Sequence, residues 1–168
     1  MEEPEIRVEH RETLAEILSE AAEIEHGLMC CYLYAAWSIG APAQRAQPPE
    51  RVALMKRWRD AILDVARDEM SRLVNVANIA NAIGVSPHMR RPNFPVSPGY
   101  PPAGITVALA PFSLATMDHF VFLERPEGVE LPDGDGFSGQ FSYIRGNAPG
   151  RLIPNAQDYA TVGHLYRG

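Results

Sequence analysis

Apolar positions along residues 12–39 fall on one stripe. Leu14, Leu18, Ala21, Glu25, Leu28, Tyr32, Ala35 and Ile39 follow alternating spacings of four and three, the period of one face of a bundle helix. The spacing predicts a helix from about Glu12 to Ser38, stopped by Gly40-Ala-Pro. A second run, from about Pro49 to Ile83, places Met55, Trp58, Ile62, Val65, Glu69, Arg72, Val76, Ile79 and Ile83 on the same period. Gly84 stands where a glycine commonly ends a helix. Charge interrupts each stripe near its middle: Glu25 on the first, Glu69 and Arg72 on the second.

Beyond Gly84 the texture changes. Residues 1–83 hold 6 of the 28 prolines and glycines, so the first half is read as long helices and the second as ordered loop around short elements. Seven prolines in residues 85–112 exclude a regular helix or a central strand there. Phe94 and Tyr100 give this segment apolar anchors, and it is expected to pack as a cover over the helices. Ser113 caps a third helix, LATMDHFVFLE, which ends at Arg125-Pro126. Residues 126–154 read as a second long loop with room for a hairpin at FSGQFSYI, and the stretch from Asp158 to Gly168 as the start of a further helix. The whole chain, 1–168, is read as one domain.

Composition narrows the function classes. With 46 % hydrophobic and 21 % charged residues the chain has the balance of a globular protein. A net charge of −6 argues against nucleic-acid and anionic-membrane partners. No apolar run reaches the roughly 18 residues of a spanning helix, and the acidic first residues are not read as a secretory leader. Cys30 and Cys31 are adjacent, a poor geometry for a disulfide, and are read as reduced thiols of a cytoplasmic protein.

The charges on the stripes carry the chemistry. Burying an unpaired carboxylate costs several kcal/mol, so Glu25 and Glu69, each at mid-length of its helix, are expected to be buried together and to share a partner. That partner is a metal, a proton held between them, or Arg72. Inward carboxylates on neighbouring helices are the recipe for a dimetal site, which takes Glu from two helices and Glu-x-x-His from two more. Here the motif reads Glu69-Met-Ser-Arg72. A guanidinium cannot ligate a cation but can fork carboxylate oxygens.

The stretches EIEHGLMCCYLYAAW, VARDEMSRLVNVANIANAIG, RPNFPVSPGYPP and LAPFSLATMDHFVFLERPE resemble the ferritin-like domain family that includes the iminophenylpyruvate dimer synthases of violacein-type bacterial indole alkaloid pathways. The resemblance covers about residues 10–168. It implies a mainly α, ferritin-like helical bundle with long Pro/Gly-rich ordered loops, lacking the last helix of the family pattern. It also implies an enzyme of secondary metabolism acting on a small organic substrate in the bundle interior. By motif, Glu25 matches the first-helix carboxylate and Glu69 the Glu of Glu-x-x-His. Arg72 falls where that motif has His, His164 where the family commonly reads Glu, and Cys31 where Gln is common. The ligand set is therefore degenerate, and an intact dimetal centre is not expected.

Two chemistries follow. If one non-haem iron binds, Glu25, Glu69 and His164 form a two-carboxylate, one-His set and the protein is an oxidoreductase. Without metal, Glu25 or Glu69 acts as a general acid or base tuned by Arg72. Cys31 and Tyr32 are expected to line the substrate pocket, with the 85–112 segment over it. The rival reading is a non-catalytic subunit whose Arg–Glu cluster replaces the metal. An uncovered bundle groove predicts a homo-oligomer, most simply a dimer.

Other chemistry-bearing residues are read plainly. His26 is a helix-edge histidine, Cys30 and Cys31 are small core residues, and Asp118-His119 is a chance neighbour pair, since adjacent helical residues diverge by about 100°. Glu124 is read as either reaching the site or capping against Arg125, the second being favoured, and Asp133-Gly-Asp-Gly as a turn.

Overall fold

The computed structural model describes residues 7–40, 47–91, 93–96, 105–126, 128–137 and 161–167. These contain four helices: α1 (Arg11–Ser38), α2 (Pro49–Ala82), α3 (Leu114–Leu123) and α4 (Val162–Arg167). The fold is mainly α. An isolated antiparallel β-bridge joins Val96 and Val107.

Helices α1 and α2 form the frame and pack against each other extensively. They run antiparallel: Arg11, at the start of α1, donates to the Gly84 carbonyl just past the end of α2, at 3.0 Å. Pro49 occupies the first turn of α2, where its missing N–H is no loss. At the other end Gly84 has φ 74°, and the N–H groups of Gly84 and Val85 bond back to the Asn81 and Ala80 carbonyls. That is the Schellman closure, and its left-handed residue favours glycine. In α3 the Ser113 hydroxyl accepts from the Thr116 N–H at 3.1 Å, as its sequence implied.

The stripe of α1 is buried as read, from Leu18 through Glu25 and Tyr32 to Ile39. That of α2 is rotated. Ile62, Glu69 and Val76 face inward, but the second inward column is Ala66, Leu73 and Ala80 rather than Val65, Arg72 and Ile79. Trp58, Val65 and Ile79 are 44 %, 37 % and 47 % exposed. Both columns flank the same central row, because spacings of three and of four fit a 3.6-residue turn equally well. The alanine column presents the flatter surface to α1, which contributes Ala21, Ala22, Ala35 and Ala36 to the core. Trp58 instead stacks on Phe112, centroids 5.6 Å apart.

The described parts of the 85–112 segment do pack on the helices. Val96, Ile105 and Val107 are buried, Phe94 packs against the core, and His88 bonds to Glu23 of α1 at 2.8 Å. Tyr100 and nearly all of the FSGQFSYI stretch lie outside the described residues. Helix α3 joins the core through Phe120, whose ring meets Tyr32 edge-on at 4.5 Å. No described helix is long and apolar enough to cross a membrane.

Candidate functional site

Glu25 and Glu69 are both completely buried, one on each frame helix. They lie close enough that Glu25 acts directly on the Glu69 carboxyl. Each carboxylate has one oxygen engaged. Arg72, one turn along α2, is ion-paired to Glu69 Oε1, and the Tyr166 phenol of α4 donates to Glu25 Oε1. The other oxygen of each, Oε2, is buried with no donor among the described residues. One proton held by the pair removes the repulsion of two buried like charges. Burial, followed by the hydrogen bond and charge of Glu25, pushes Glu69 up to about 8 against the pull of Arg72. The pair therefore retains a proton at neutral pH.

Arg72 is not buried. Its side chain is 46 % exposed, where its seam position had implied enclosure. It lies on the exposed column of α2 and reaches back over the end of Glu69. Burial works against its charge, but Glu69, Glu25 and Glu124 outweigh that and hold it positive.

Glu124 corrects a sequence expectation. Helix α3 ends at Leu123, and Glu124 is its C-cap. Its carboxylate accepts from the buried Tyr32 hydroxyl at 2.5 Å instead of capping against Arg125. Burial pushes this carboxyl upward too. The Tyr32 phenol is raised by burial and by Glu124, so it stays protonated as a donor.

A cavity of about 480 Å³ opens beside these groups, between α2, the end of α3 and α4. Ile79, Leu123 and Val162 give it an apolar wall; Arg72, Glu124 and Tyr166 give it a polar one. Its size suits a small organic ligand. The lining differs from expectation. Neither Cys31 nor Tyr32 lines it, and its cover is α4 and the turn at 123–126 rather than the 85–112 segment. Tyr32 reaches the site only through Glu124. Cys31 faces the 85–112 segment, its thiol 3.6 Å from the Ala108 carbonyl and pushed up to about 12, chiefly by burial. That thiol is a core group.

A family profile described as ferritin-like matches residues 18–168. The chain belongs to the ferritin-like family. It is also 31 % identical over 165 residues to a 2-imino-3-(indol-3-yl)propanoate dimerase of Chromobacterium violaceum, a match covering 83 % of this chain and 16 % of that protein. The chain thus spans about a sixth of that relative's length. No solved structure matches it.

The ferritin-like dimetal recipe is not met by these side chains. Arg72 and Tyr166 each hold one of the four oxygens of Glu25 and Glu69. Among the described residues no group of three or more His, Cys, Asp or Glu side chains is placed to hold a metal ion. The Glu25–Glu69–His164 set is therefore not assembled. His164 is buried on α4, but Tyr166, two residues on, is the one that reaches Glu25. Residues two apart on a helix point about 200° apart, so α4 cannot present both to the same carboxylate.

Sequence reasoning missed two arrangements. Nothing in the pattern singled out Tyr166. The second is His119, read as a chance neighbour of Asp118. It is buried and bonds through Nδ1 to Asp133 at 2.6 Å, while Phe137 stacks on its ring at 3.9 Å. Asp133 belongs to the segment read as a turn, and its spacing from His119 carries no periodic signal. Burial lowers the imidazole below its usual range even against the charge of Asp133.

Proposed function

We propose that this ferritin-like chain is a metal-independent acid–base enzyme of bacterial secondary metabolism. Its substrate is a small aromatic imino acid held in the cavity beside Glu25 and Glu69. The observation that carries this reading is the pair of wholly buried, interacting carboxyls, each with a second oxygen that has no hydrogen-bond partner among the described residues. Such a pair takes and returns a proton near neutral pH without leaving an isolated buried charge. The dimerase it resembles acts on 2-imino-3-(indol-3-yl)propanoate. The acidic hydrogens of that molecule are at C3, next to the imine carbon. Removing one converts the protonated imine to its enamine, a carbon nucleophile. The apolar wall of the cavity suits an indole ring, and the cationic Arg72 suits a carboxylate.

The test is hydrogen exchange at C3. Indole-3-pyruvate in ammonium-containing heavy-water buffer equilibrates with its imine, and deuterium entry at C3 is followed by proton NMR. The protein is expected to accelerate exchange, with the gain lost by about 100-fold or more in Glu25→Gln, which removes the carboxylate that accepts the proton. Exchange at the buffer rate refutes the reading. Activity that tracks stoichiometric bound iron and is abolished by chelation replaces it with the oxidative one.

The exposed column of Trp58, Val65 and Ile79 on α2 supports a second reading, a structural ferritin-like subunit that assembles through this face. Under either reading we expect a homodimer, and light scattering reads its mass. The subunit reading stands alone if a metal-free dimer neither exchanges nor binds the imino acid.

A further inference from the structure

Glu25 and Glu69 are completely buried, and neither lines the cavity. A molecule in the cavity cannot touch them. Two described side chains bridge that separation by lining the cavity and contacting the pair directly: Arg72 on Glu69 and Tyr166 on Glu25. Their chemistry differs in the property that matters. A guanidinium stays protonated and has no lone pair to offer. A phenol oxygen that donates its own hydrogen to a carboxylate still carries lone pairs, and Tyr166 lines the cavity and is about half exposed.

We infer that Tyr166 is the catalytic residue that touches the substrate, receiving the substrate's proton on its phenol oxygen while its own hydrogen passes to Glu25. This rests on the acid–base reading of the pair. In the step, the C3–H bond of the protonated imine breaks. Its electron pair becomes the C2–C3 double bond, and the carbon–nitrogen π pair becomes the lone pair of the enamine nitrogen. The proton goes to the Tyr166 oxygen, the phenol hydrogen goes to Glu25, and no oxidant or further reactant is needed. Reversal through the same phenol returns the proton to the cavity, which is open to solvent. The direction of the Tyr166 phenol agrees: burial first, and then Glu25, push it upward, so the relay starts from a protonated phenol.

Glu124 is the competitor, because it also lines the cavity and carries a carboxylate. Its hydrogen bond runs to Tyr32, and no hydrogen bond joins it to the Glu25–Glu69 pair among the described residues. In this assignment Glu124 positions and does not transfer the proton.

Three variants separate these roles in the C3 exchange assay, run on the whole chain. Tyr166→Phe keeps the ring and removes only the oxygen, so the fold should persist. Its exchange rate is expected to fall at least about 100-fold, with affinity for the unreactive carboxylate indole-3-acetate changed less than about threefold by calorimetry. Glu124→Gln should retain exchange within about tenfold of the parent protein, well short of the loss expected at a proton-transfer position. A Tyr166→Phe protein that exchanges at the parental rate while Glu25→Gln does not overturns the relay and leaves the acid–base reading intact. Loss confined to Glu124→Gln overturns it in favour of direct transfer by that carboxylate. A parent protein that does not accelerate exchange overturns both.

Discussion

Glu69→Gln probes the shared proton through stability. Glutamine is close in shape to a protonated glutamate: its amide can donate to Glu25 and its carbonyl can accept from Arg72. The variant thus keeps the contacts of the protonated state and removes its titration. Glu69 lies at about 8 in the folded protein against an ordinary 4.5. The unfolded chain releases this proton near the lower value and the folded chain near the higher one. Between them the folded state holds one more proton, so this group contributes stability that is full below the lower value and is lost as pH rises through the upper one. The whole displacement corresponds to at most about 5 kcal/mol. Half-exposed Arg72 opens that side of the pair to solvent, so screening reduces the expected change to about 2 to 3 kcal/mol between pH 5 and 9. The assay is urea denaturation followed by far-ultraviolet circular dichroism at one-unit pH steps. His119 titrates in the opposite sense, since its lowered imidazole makes stability rise with pH below its ordinary value. The informative quantity is therefore the difference between parent and variant. The parent should lose stability relative to Glu69→Gln as pH rises. Parallel profiles would refute the shared proton, and a difference of opposite sign would mean that Glu69 is held ionised by Arg72.

Arg72→Ala should cost about 1 to 2 kcal/mol at pH 7, well below the 3 to 5 kcal/mol of an enclosed ion pair, and should hold the Glu69 proton to higher pH; urea midpoints read the first and the pH profile the second. Gly134→Ala should destabilise by roughly 2 to 3 kcal/mol. Its added carbon would lie 2.0 Å from the Ala115 carbonyl oxygen and 2.9 Å from the His119 nitrogen, both backbone atoms that cannot turn aside; thermal unfolding checks it. In thiol labelling of the native protein Cys30 should react well before Cys31, whose thiol is buried and pushed up to about 12. A Cys30→Ser protein should then label only as fast as it opens.

The residues that interrupt an apolar period were legible from sequence. Glu25 and Glu69 stand at in-phase positions of two long helices, and the energetic cost of burying a lone charge makes such positions meaningful in any tertiary arrangement. The helix limits were legible for the same local reason, since Pro49, Gly84 and Ser113 act within one turn of where they stand. The loop that covers α1 announced itself by proline density and apolar anchors, and the family by motifs spread along the chain. Only the tertiary structure could choose between two columns of α2 that fit the helical period equally well. That choice left Arg72 half exposed and Trp58 on the surface. Only it could show which residue of α4 meets Glu25, because a six-residue helix holds too little pattern to fix its rotation. Glu124 and Asp133 were illegible for a related reason. Each lies at or beyond the end of α3, where periodicity stops and the path of the backbone decides what a carboxylate can reach.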